Sequence, residues 1–371
     1  MLSESLLCAL EQPAWPEAWP WEALSRLLRA HAPSGGAGLR GAVGPLIGQL
    51  AAELGLSDGW TPRLGATGNA ALRLGAEAER RDLVIVAHMD RPSFRVRDPQ
   101  RGALYPICAN RFPDGLYTAQ AKALRYRSDA GLILAARGTL TSQRGPQGDI
   151  LSLDVHEGQL TWHDLVTLDA EPRLDEVGVV LGTGLDNSLG VLTALLAAAR
   201  LRVLREDFSL LFVFTDQEEG DPQAFFGHGA ARLAHALLPP RLGTIILDAH
   251  GVLESSSIIC GRGASHGTIS AWGRGSIVPP QAIALALDLA QTVNARQLAT
   301  VQFNTGYMSR SDDLALGRWS QILALIGPPM RDAHTAHESA HLADVDRASL
   351  WAACFCAALL SPTIAARYEL A

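Results

Sequence analysis

LVIVAHMD, residues 83–90, is an unbroken aliphatic run that finishes in a histidine and an aspartate. Five consecutive apolar residues, Leu83 to Ala87, without polar alternation, read as a strand buried on both faces, the kind parallel sheets use. His88 and Asp90 are two apart, so in extended chain they share a face. A carboxylate there can accept from one imidazole nitrogen and aim the other at a metal. A polar strand end in solvent is the plainer alternative, and other motifs have to decide between them.

With 371 residues, 48% of them hydrophobic, the chain can bury a large core as one domain with an insertion, or as two. Mean hydropathy is +0.11, which leaves no room for a disordered reading. The formal charge of -7 comes without a basic run, so neither nucleic acid nor an anionic membrane surface is an expected partner. No apolar stretch reaches the length of a membrane span, and MLSESLLCALEQPAWP has no basic leader region, so a cytoplasmic location is expected. Cys8, Cys108, Cys260, Cys354 and Cys356 are scattered and odd in number, as reduced thiols would be. Lys122 is the only lysine.

Helix-like periodicity covers Glu22 to Ala30 and Val43 to Leu54 ahead of the strand. From Arg91 to about Val180 the texture changes to short alternating segments such as ALYPICA, GLILAARGTL and QLTWHDLVTL between turn residues. Helix and strand patterns then alternate: Leu189 to Leu204 helical, Ser209 to Thr215 strand, Gln223 to Leu238 helical, Thr244 to Leu247 strand, Gln281 to Val293 helical, Ile322 to Ile326 strand, Ala348 to Leu360 helical. The expected fold class is α/β, a mixed, largely parallel sheet flanked by helices, with a small inserted all-β, barrel-like domain. Residues 1–90 and 181–371 would form the discontinuous first domain and 91–180 the insertion, with a role in assembly or substrate access.

Three more aliphatic strands end as the first does. GTGLDNSLG sets Asp186 at a strand-to-helix turn, where it binds a ligand or caps the helix, a cap that Asn187 or Ser188 could also supply. LLFVFTDQEEG ends in Asp216, Glu218 and Glu219, a solvated acidic loop or a metal ligand beside a general base. TIILDAHG ends in Asp248, with His250 two residues on. IGPPMRDAHTAHESAH then groups His334, His337 and His341 around Glu338. In a parallel sheet such ends converge, and a nitrogen and oxygen donor set without thiolate suits zinc, manganese or cobalt.

These segments, in this order, resemble the co-catalytic dinuclear metallo-aminopeptidases of the deblocking, glutamyl and tetrahedral type. APSGG at Ser34, ATGNAAL at Gly68 and Asn69, AHMD, LDNSLG, QEEG, LDAHG and GPPMRDAHTAHE all match the family's successive motifs, and the insertion falls at the family's position. The resemblance implies that His88 and Asp248 hold one metal, Glu219 and His334 the other, and that Asp186 bridges. It makes Glu218 the general base and Asp90 the residue orienting His88, and it prefers His334 to His337. The implied cofactors are two divalent ions, zinc first, with cobalt or manganese as alternatives, and the implied assembly is a homo-oligomer. Two positions depart from the pattern. Asn187 stands where an acidic residue is usual, and Arg91 follows AHMD where an acid is common, so Arg91 is an expected contact for acidic substrates. MSRSDDLALG matches a late segment loosely and offers Asp312 or Asp313 to a substrate amine.

The expected reaction is hydrolysis of N-terminal residues from peptides by a two-metal-activated water. A deacylase or amidohydrolase acting on N-acyl amino acids or small amides would use the same groups. An inactive metal-binding relative is the third reading, disfavoured because both glutamates of QEEG and every inferred ligand are kept. Cys354 and Cys356 sit in an apolar helix pattern and read as core.

Overall fold

The computed structural model describes residues 2–13, 15–106, 112, 115–145, 148–204, 208–220, 226–253, 257–273, 275–307 and 310–370. Leu83–His88 is a strand and lies near the middle of an eight-stranded sheet. The sheet runs Trp60–Thr61, Ala70–Gly75, Ser209–Thr215, Leu83–His88, Gly243–Leu247, Ile322–Gly327, Ala264–Gly267, Val301–Asn304. The four strands from Ser209–Thr215 to Ile322–Gly327 are mutually parallel, and antiparallel pairings flank them on each side.

The aliphatic run follows from what covers it. Leu83, Ile85 and Ala87 face the larger apolar cluster with Leu27, Ile47, Leu192 and Trp351. Val84 and Val86 face the other side, with Ala230, Leu233, Tyr307 and Leu316. A strand with helices on both faces has no solvent side on which a polar residue would be favourable. The helices Leu185–Leu201 and Leu342–Leu360 are apolar nearly all round because they are buried between the sheet and outer helices. Cys354 and Cys356 are in the second of them, where burial pushes both thiols up to about 12. Cys108 lies outside the described residues.

Between His88 and the helix at Leu185, six strands close into an antiparallel barrel: Phe94–Asp98, Ala103–Pro106, Gly148–Gly158, Gly131–Gly145, Leu116–Arg127 and Leu165–Leu168, in that spatial order. Closure leaves no free sheet edge, and Phe94, Val96, Leu140, Leu153 and Val166 fill the inside. A five-stranded sheet, Arg173–Leu174, Val179–Gly182, Glu338–His341, Pro329–Arg331 and His250–Gly251, then connects the chain leaving the barrel to the C-terminal motif.

The expected elements are present with shifted ends. The helix expected from Leu189 follows a short turn at Leu185, with Asp186 and Asn187 outside helical φ/ψ, so regular helix begins after Asn187, and the helix expected from Ala348 starts at Leu342. The helix expected over Gln223 to Leu238 is His228–Ala236; residues 221–225 lie outside the described residues. Among the described residues no helix is long and apolar enough to cross a membrane.

Candidate metal centre

The parallel strands bring their carboxyl ends together, with Thr215 paired to His88 in register. His88 Nε2 faces three carboxylates: Asp186 Oδ1 at 3.2 Å, Asp248 Oδ1 at 3.6 Å and Glu218 Oε2 at 3.9 Å. His334 Nε2 lies 3.3 Å from Asp186 Oδ2 and 3.1 Å from Glu219 Oε1. One aspartate thus presents opposite oxygens to two histidines. Donor atoms fall within 4.8 Å of one another in three groups: His88 with Asp186 and Asp248, Asp186 with Glu219 and His334, and His88 with Glu218 and Glu219.

These residues fit divalent cations. His88 Nδ1 sits 3.1 Å from the backbone carbonyl of Asp90, which can accept a hydrogen bond from Nδ1–H and so leaves Nε2 facing the anionic oxygens. Asp248 Oδ1 and Glu219 Oε1 are buried and face only the imidazoles, His88 Nε2 and His334 Nε2, with no other hydrogen-bond partner. Lone pairs crowded in this way need positive charge between them. Without metal the imidazoles supply it: burial opposes their protonation, yet Glu218 raises His88 and Glu219 raises His334 well above the usual range. Burial also raises Glu218 and Glu219. Asp186 goes the other way, because His334 and His88 outweigh its burial.

The residues around this cluster explain its shape. Asp186 is not the helix cap. Asn187 is, since its Oδ1 accepts from Gly190 N at 2.9 Å and from Ala249 N at 3.2 Å, while its Nδ2 donates to Leu247 O at 2.9 Å. A carboxylate could not make that donation, so the amide ties the helix start to the strand end bearing Asp248 and leaves Asp186 free. The SG and GN segments hold the QEEG turn: Ser34 Oγ donates to Glu219 O, Gly35 N donates to Asp216 Oδ1, and Asn69 Oδ1 accepts from Asp216 N. Asp216 is pushed up to about 7 by burial and by Asp90.

Two expectations change. Asp90 was expected to orient His88 with its carboxylate, but that carboxylate is 3.7 Å from Nδ1 and accepts instead from Glu218 N and Glu219 N, each at 3.1 Å. Its own backbone carbonyl is the closer partner of the ring. Arg91 was expected at substrate, but it is buried and donates to Leu28 O at 2.9 Å, to Leu27 O and to Ser188 Oγ. It satisfies carbonyls at the end of the helix Trp19–Arg29, a buried cation paired with a helix C-terminus.

Asp312 and Asp313 are both buried but differ. Asp313 is occupied by Ser270 Oγ, Ser276 N and Ser311 N. Asp312 accepts from Thr215 Oγ1 through Oδ2, and its Oδ1 has no partner. His337 is exposed and outside the cluster. It lines a cleft of about 550 Å³ with Thr118, Gln120, Thr139, Asp169 and Arg173, between the barrel and the His334 loop. Sequence reasoning did not single out Tyr307, whose hydroxyl donates to Asp248 Oδ2 at 3.3 Å while its ring stacks on His250 at 4.2 Å. No spacing rule links Tyr307 to Asp248; only the fold does.

An α/β sheet gathers histidines and carboxylates at its carboxyl edge, with a barrel inserted after the first of them, an arrangement suited to divalent cations. Residues 152–350 match the M42 glutamyl aminopeptidase family. The chain belongs to that family and is a peptide-bond hydrolase. No curated protein sequence matches it. Among solved structures it is similar to the TET aminopeptidase of a marine sediment thaumarchaeon, with TM-score 0.74, 14% identity, and 94% of this chain and 99% of that one covered. An aminopeptidase of the archaeon Desulfurococcus kamchatkensis gives 0.70 at 19% identity, over 91% of this chain and 95% of that one. The TET1 peptidase of Pyrococcus horikoshii, which can assemble into a tetrahedron or a large octahedral shell, gives 0.68 at 16% identity, over 90% and 98%. At such identities the likeness speaks for the fold.

Proposed function

We propose that the protein is an aminopeptidase in which His88 and Asp248 hold one divalent ion, Glu219 and His334 a second, and Asp186 bridges the two. The observation that carries this reading is the pair of opposite Asp186 oxygens, 3.2 Å from His88 and 3.3 Å from His334. The donor set favours zinc, with cobalt or manganese as alternatives. When bound, such ions acidify a water and polarise the scissile carbonyl. Glu218 is the general base: its carboxylate takes a proton from the attacking water and returns it to the leaving amine nitrogen.

Asp90 fixes where that base stands, through the backbone of Glu218 and Glu219. Asp312 Oδ1 is the anchor for the substrate's α-ammonium, and Asp313 is structural. The cleft beside His337 gives the rest of a peptide room to leave. Residues 1–90 and 181–371 form the hydrolase unit and 91–180 an inserted unit for assembly. Leu116, Ile150 and Trp162 are 70%, 69% and 63% exposed on that unit, and a homo-oligomer would cover them.

The test is hydrolysis of aminoacyl-anilides beside N-acetyl amino acids, before and after chelation. The reading expects metal-dependent cleavage of the free-amine substrates. Preference for the N-acetyl compounds would move the assignment to a deacylase, and chelator-resistant turnover would reject the metal mechanism.

A further inference from the structure

Glu338 belongs to no ligand group, yet it is buried at 1% exposure beside the centre, on the strand Glu338–His341. Its Oε1 accepts from His334 N at 2.8 Å, and its Oε2 accepts from Leu185 N at 2.6 Å. One of these amides belongs to a histidine of the cluster, and the other immediately precedes Asp186. A single carboxylate therefore ties the segment before Asp186 to the His334 loop, just beyond the point where Gly182 pairs with Glu338 across two strands. Asp90 makes the same kind of clamp on the backbone of Glu218 and Glu219.

The His334 loop needs holding. His334 has φ of +68°, a left-handed conformation that costs a residue other than glycine about 1 kcal/mol or more. From its other side the barrel grips the same loop: Ala336 N donates to Tyr117 Oη at 3.0 Å, and Ala336 is buried in the barrel's apolar cluster. The Tyr117 ring is itself stacked on Phe112 with centroids 4.3 Å apart. The loop is thus fixed by a carboxylate on one side and a phenol on the other, neither of which belongs to the candidate donor groups.

Resting on the two-ion reading, we propose that Glu338 is the positioning residue of the half-site formed by Glu219, His334 and Asp186. Its two amide contacts set the separation of His334 from Asp186, with Tyr117 steadying the loop from the barrel. Affinity for that ion is then governed in part from outside the ligand set, while the ion at His88 and Asp248 feels Glu338 only through the shared Asp186.

Calorimetric titration of the metal-free full chain with Co²⁺ tests this. Wild type takes up two ions, and His334→Ala identifies which step belongs to this half-site. Glu338→Gln turns an amide group toward a backbone N–H, and the same step weakens by about 10- to 100-fold while the other weakens by less. Tyr117→Phe shifts that step in the same direction by less. A folded Glu338→Gln protein with both affinities unchanged overturns the proposal. Should that variant fail to fold, unchanged affinities in Tyr117→Phe overturn it. Fewer than two ions bound by wild type would instead reject the two-ion reading itself.

Discussion

Glu218 and Glu219 are neighbours in sequence and differ in surroundings, which fits the proposal that one binds metal and the other carries protons. Glu219 lies against His334, while Glu218 reaches toward His88. Glu218→Gln is expected to bind metal as wild type does and to lose about 10²- to 10⁴-fold in kcat, the usual worth of a general base. Steady-state kinetics with metal analysis checks this, and near-normal turnover would remove Glu218 from the role. Asp248 gives one oxygen to Tyr307 and leaves the other unpartnered. Tyr307→Phe frees that carboxylate to rotate, so the first ion should bind about 10-fold more weakly with the fold intact. Equal affinity by titration would show that the hydroxyl contributes nothing there.

Among the elements, the junction of the helix Leu185–Leu201 with the strand Gly243–Leu247 matters most. Gly190 has no side chain because the strand end passes too close: a Cβ would stand 2.3 Å from Asn187 Oδ1 and 2.5 Å from Leu247 O. Gly190→Ala must push helix and strand apart, and overpacking of this kind costs about 1–3 kcal/mol. A lowered melting temperature together with weaker metal binding is the expected result; a drop in stability with metal affinity unchanged would contradict the coupling. The sequence made the strands legible because burial on both faces leaves an aliphatic run, and it made the ligands legible because polar groups at such ends are conspicuous. Asn187 was legible as one candidate cap, but its bonds to Leu247 and Ala249 were not, nor were Arg91 at a helix end and Asp90 on the backbone of Glu218. Each depends on an element far away in the chain, with no periodicity or spacing to announce it.

For the molecule as a whole, the barrel presents exposed Leu116, Ile150 and Trp162. Light scattering should give a mass several times that of one chain, and a monomer at micromolar concentration would contradict assembly. Stability should also respond to acid through His266, which burial holds down to about 3 from an ordinary 6.5. Its Nδ1 accepts from Trp351 Nε1 at 3.1 Å inside the main core. The unfolded chain binds a proton at this residue below pH 6.5 and the folded chain does not until about 3, so the stability it lends is complete above 6.5 and is lost as pH falls through that window. His266→Asn should flatten the acid limb by up to about 1.4 kcal/mol per pH unit. An unchanged slope in denaturant titrations between those limits would exclude His266 as the source.

The central claim is that five side chains from separate strands and loops enclose a pair of cations. Anomalous diffraction from zinc-loaded crystals tests it most directly. The account predicts two peaks about 3.5–4 Å apart, one against His88 and Asp248, one against Glu219 and His334, with Asp186 between them. A single peak, or peaks away from these residues, would contradict it.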